Sequence, residues 1–140
     1  MKTFQLDRLT LRLFLVLLVF HMHHVLEEAG GRFFAMGRYP NPGAFLAANG
    51  ILLALPVIFL YFLLEGRRWA QTLGLLYGAV MAADGLGHIV ATILTGRYDG
   101  RFAGAISGLG LAGVGIPFAV RLWQARKEDA TGNAAEAAVS

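Results

Sequence analysis

The chain contains no cysteine. Disulfides, thiolate metal sites and cysteine nucleophiles are therefore excluded, and the redox compartment leaves no mark on the sequence. Charge is scarce too. Asp, Glu, Lys and Arg make up 15% of the residues, against about a quarter in an average soluble domain. The formal net charge is +3, but the basic residues sit between apolar runs and form no patch, so no nucleic-acid partner is expected. What the chain has in excess is hydrophobic residues, 56% of the total, with a mean hydropathy of +0.58. Lipid is the solvent that suits such a composition, and 140 residues suffice for one domain.

The apolar residues fall into four runs, 9–26, 44–64, 73–95 and 102–122. Each is close to the roughly 20 residues that a helix needs to cross the hydrocarbon core. Backbone in lipid must satisfy its own hydrogen bonds, so helices are the expected form. The breaks between runs carry turn and charge signals, as in Gly30-Gly31-Arg32 and Glu65-Gly66-Arg67-Arg68. The expected fold is thus all-α, a polytopic membrane protein with a bundle of four transmembrane helices over 1–126. The Ala-rich stretch 127–140 has no apolar period and is expected to be a disordered cytoplasmic tail. A cleaved signal peptide is disfavoured for the first run, because Asp7 interrupts the basic start and no A-x-A site follows.

Lys and Arg in short loops set orientation. Lys2, Arg8, Arg12, Arg67, Arg68, Arg121, Arg126 and Lys127 lie on the side of the termini, against Arg32, Arg38, Arg97 and Arg101 on the other. The bias places both termini in the cytoplasm and the protein in the cell inner membrane. Gly74, Gly78 and Ala82, and Gly104, Gly108 and Ala112, recur at intervals of four and allow close helix approach. Pro56 and Pro117 are expected to kink their spans.

Ionisable groups inside a membrane are costly and mark functional sites by default. His21, His23, His24 and His88 all lie in apolar runs, with Glu27 and Glu28 at the end of the first and Asp84 in the third. At 1.5 Å rise per residue, His24 lies roughly 7 Å from the outer end of its helix, His88 roughly 10 Å and Asp84 roughly 16 Å. All share the outer half of the bilayer. His21, His24, Glu27 and Glu28 span about 120° of one helix face. Asp84 and His88 are i, i+4 neighbours, on a stripe with Gly74, Tyr77 and Met81. His21 and His23 are expected to face headgroups, and Asn49 to make an interhelical hydrogen bond. The prolines of 39–43 make that segment a rigid turn presenting the second helix.

His24-Val25-Leu26-Glu27-Glu28 reads H-x-x-E-E, followed by Tyr39-Pro40-Asn41-Pro42-Gly43 and by a separate His88. These residues resemble the HXXEE-domain family of small integral membrane proteins, which is described by H-x-x-E-E, a further histidine and a Y-x-P-G motif. The turn here is Y-x-x-P-G, one residue longer. The resemblance covers the membrane part of the chain and implies a membrane fold without an established activity.

Three chemistries suit the polar residues. Imidazole and carboxylate suit one or two divalent Zn, Fe or Mn ions, with His24, Glu27, Glu28, His88 and Asp84 as the candidate ligands and Glu27, Glu28 and His24 as the candidate catalytic groups. Helix bundles hold such centres with His and carboxylate three residues apart, the separation of His24 and Glu27 in reverse order. The expected activity is that of a metal-dependent enzyme acting on a lipid-like or amphipathic substrate near the outer face. A proton-coupled small transporter, as a homodimer, is the second reading, disfavoured because its site should lie at the midplane. A metal-free acid–base isomerase is the third.

Overall fold

Four residues start two of the helices. Asp7 accepts backbone N–H bonds from Leu9 and Thr10 at 2.9 and 3.1 Å and a hydrogen bond from the Thr10 hydroxyl, satisfying donors that the first turn of a helix leaves free. Asn41 caps its helix in the same way, through Ala44 N at 2.8 Å, with Pro42 at the first helical position where no N–H is needed. The computed structural model describes residues 6–32, 39–97 and 103–139. They form α1 (Arg8–Gly30), α2 (Pro42–Leu64), α3 (Arg68–Thr95) and α4 (Ala105–Val139), with no strand among the described residues. Each is long and apolar enough to cross a membrane, α4 over Ala105–Glu128. Arg38, residues 98–101 and the expected start of the fourth span at Phe102 lie outside the described residues.

Helix α1 continues through Glu27 and Glu28 to Gly30, so both acids sit on helical backbone, as the helical period expects. One boundary differs from the sequence reading. Helix α4 runs on to Val139, across the stretch expected to have no structure. Ala and Glu recur there, and they are strong helix formers. The 39–43 turn also does more than stiffen the chain. The Tyr39 ring meets Phe45 edge-on at 5.2 Å, a contact across the cap that sets the direction of α2.

Helices α3 and α4 approach backbone to backbone. A Cβ on Gly85 would lie 2.5 Å from the Gly108 carbonyl oxygen, and one on Gly115 would lie 2.8 Å from that of Gly78. Small residues replace side-chain interdigitation there, as is usual between helices in lipid. Towards the end of the bundle that holds Arg8 and the α2–α3 turn, Phe14 gathers Phe59, Tyr77 and Phe118 at ring-centroid distances of 5.7, 5.7 and 5.3 Å. Large apolar side chains also cover the outside of the bundle. Ile93 and Leu94 are 74% and 79% exposed, which fits a bilayer and not water. The opposite end, where α1 and α3 finish and α4 begins, is left for polar residues.

A candidate metal centre where three helices meet

His24 of α1 is buried, and its Nε2 lies 3.0 Å from Asp84 Oδ2 of α3 and 3.7 Å from Glu28 Oε1 one turn further along α1. His88 of α3 brings its Nε2 to 3.4 Å from Glu28 Oε1 and 3.9 Å from Asp84 Oδ1. The two imidazoles meet edge to face with centroids 4.9 Å apart. One ligand atom each from His24, Asp84 and His88 falls within 4.8 Å of the others, a spacing that could hold a metal ion. Glu28 is buried beside them, and Asp84 is 41% exposed. A cavity of about 250 Å³ lined by Asp84, Gly87 and His88 opens onto the cluster from the surface of α3.

The start of α4 closes the cluster from the other side. Gly104 has φ +109°, a backbone conformation that side-chain-bearing residues rarely adopt, and a Cβ there would lie 2.5 Å from His24 Cε1. Ser107, 1% exposed, follows three residues later. Its Oγ is 2.9 Å from His24 Nδ1 and makes a short hydrogen bond to Glu27 Oε2. Glu27 also accepts the backbone N–H groups of Ile106 at 3.1 Å and Ser107 at 2.8 Å, so its carboxylate sits on the positive end of α4.

This relay selects a tautomer of His24. A hydroxyl has one proton, and the ionised Glu27 can only accept it. Toward His24, Ser107 Oγ therefore accepts, and His24 Nδ1–H donates. Neutral His24 then presents a bare Nε2 lone pair to Asp84 and Glu28, which are acceptors themselves. That nitrogen is buried and lies 3.0 Å from the Asp84 carboxylate. Facing acceptors in a water-poor site need a proton or a metal cation between them. The described ion pairs made by Arg67 and Arg121 lie at the other end of the bundle, with Glu65 and Asp7.

The five expected site residues thus divide. His24, Glu28, Asp84 and His88 converge. Glu27, expected as a ligand and as a catalytic group, points about 100° away from Glu28 as the next residue on a helix must, and its two oxygens hold α4. His21 departs from its expected headgroup position: it is buried, with Nδ1 3.1 Å from Tyr77 Oη. His23 is exposed on the outside. Asn49 is buried, but its amide donates to Phe45 O of its own helix at 2.9 Å and not to a neighbour among the described hydrogen bonds. Ser107 and Gly104 were not picked out as site residues. The available signal was slight: Ser107 is the only hydroxyl residue in the run 102–122. No family model, curated protein or solved structure matches the chain.

Proposed function

We propose that the chain is a membrane-embedded enzyme of the HXXEE kind that binds one divalent transition-metal ion through His24, His88 and Asp84, with Glu28 as a fourth ligand or proton carrier, and acts on a lipid-like or amphipathic substrate. The observation that carries this reading is the bare, buried Nε2 of His24 directed at two carboxylates beside a second imidazole. Two His and a carboxylate form a donor set suited to Zn, Fe or Mn. A bound ion of this kind polarises a carbonyl or phosphoryl oxygen, or lowers the pKa of a bound water. Ser107 and Glu27 orient His24 from behind, in the manner of carboxylate-backed histidine ligands. Glu28, within 3.4 to 3.7 Å of both imidazoles, is the group that holds or hands on a proton. Loop charge supports both termini in the cytoplasm and the site near the outer face of the inner membrane.

Metal analysis of protein purified in detergent without chelator tests this. The expected result is about one equivalent of a first-row ion, lost sharply in His88→Ala because removal of one ligand leaves a poor coordination set. Asp84→Asn should also lower it, because a neutral amide replaces the one carboxylate of the three-residue ligand set. Folded protein that carries no metal favours the second reading, acid–base catalysis with a proton shared between His24 and Asp84, which their 3.0 Å separation also accommodates.

A further inference from the structure

A second cavity, of about 310 Å³, lies between α1, α2 and α3 and shares no residue with the ligand cluster. Leu55, Pro56 and Phe59 of α2 and Leu76 and Val80 of α3 form its apolar walls. Pro56 removes the N–H that would bond the carbonyl of Leu52, and both residues line the cavity. Leu55, Leu76 and Val80 are about half exposed, so the cavity opens on the side of the bundle that faces lipid. Its polar residues are His21 and Tyr77, which bond to each other. An apolar chain can lie against such a pair without stranding a donor or acceptor.

The cavity lies one helical turn from the candidate ligand cluster on two helices. His21 precedes His24 by three residues on α1, and Met81, which also lines the cavity, precedes Asp84 by three on α3. One turn, roughly 5 Å, separates the levels. We propose that the cavity receives the hydrocarbon chain of a single-chain amphipath of the fatty-acid or fatty-alcohol type, with its oxygen head at His24, Asp84 and His88; this rests on the metal-enzyme reading. The volume, about 310 Å³, lies at the lower end of small-molecule sites and suits one hydrocarbon chain. An oxygen head suits an ion held by imidazole and carboxylate.

The test uses the full chain in phosphatidylcholine bilayers with a palmitic acid analogue carrying a diazirine in mid-chain, and a phosphatidylcholine carrying the same group. After illumination, the fatty acid should label Leu55, Leu76 or Val80, and excess palmitic acid should suppress that labelling in the unaltered protein. Leu55→Trp and Val80→Trp, filling the cavity from different helices, should each lose it, while Ile93→Trp on the exposed surface should retain it. Equal labelling by the diacyl probe, or labelling indifferent to competitor, overturns the proposal and makes the cavity part of the general lipid contact. An intermolecular disulfide from Leu76→Cys that abolishes labelling overturns it in favour of a second copy. Labelling that persists in folded, metal-free protein keeps the chain site and removes the metal reading. Stoichiometric metal without competable labelling does the reverse.

Discussion

Single side chains at this site differ in what their loss should do, although two of them, Glu27 and Glu28, are adjacent in one motif. Ser107 touches His24 at the nitrogen opposite the cluster. Ser107→Ala leaves the ligand set intact but releases the tautomer, and metal affinity should fall about 10- to 100-fold, as for other groups that orient a ligand; competition with a chromophoric chelator reads this. Glu27→Gln should act on stability. The amide keeps the shape but turns one oxygen into a donor facing a backbone N–H, which breaks one of these hydrogen bonds and costs about 1 kcal/mol, read as a lower Tm in detergent. An unchanged Tm with metal lost would return Glu27 to the ligand set. Gly104→Ala meets both a φ of +109° and the His24 ring, and it should lower Tm and metal content together. The sequence made Glu27 and Glu28 look alike because adjacent letters carry no direction. Their roles diverge only because α4 begins beside one of them.

At the scale of the helix, caps and glycines carry the argument. Asp7 lies ahead of α1, outside the span, and the Thr10 hydroxyl bond above all holds its carboxyl below the ordinary carboxylate range, against the opposing effect of burial. A carboxyl lowered in the folded state stabilises it at neutral pH, and that contribution disappears as pH falls through the lowered value. The Tm difference between the unaltered protein and Asp7→Asn should therefore be present at pH 7 and vanish in strong acid. Added salt should reduce the share carried by the exposed Arg121 contact at 3.3 Å. Asn41→Ala should cost about 1 kcal/mol for the lost N-cap of α2. The four spans were legible because run length against bilayer thickness is a strong signal. The ends were less so: polar or charged residues continue α1 to Gly30 and begin α3 at Arg68, and hydropathy does not see them.

For the whole molecule, the sidedness of the bundle is the property to measure. In intact cells a membrane-impermeant thiol reagent should label Asn41→Cys and should not label Arg67→Cys, since the chain has no cysteine of its own. Labelling at Arg67→Cys alone would reverse the orientation. The polar cluster is confined to one end, and the aromatic group around Phe14 occupies the other half among apolar neighbours. A transporter needs its site open to both sides in turn, so proteoliposomes under a pH gradient should carry no electrogenic flux. A proton current abolished in Glu28→Gln would favour transport over catalysis.

The amino-acid sequence by itself determined the number of helices long and apolar enough to cross a membrane, and the positions of His24, Glu28, Asp84 and His88 along them. Each follows from a one-dimensional quantity, the length of an apolar run or the rise per residue along it. It also put Asp84 and His88 on one face through the helical period. Tertiary structure alone decided that Glu27 serves α4, that His21 turns inward to Tyr77, and that Ser107 and Gly104 complete the site. Those outcomes depend on how each helix is rotated and how far it slides against its neighbours. Close glycine contacts set that relation between α3 and α4, while α1 is placed by its own bonds to them, and no periodicity within one segment encodes either.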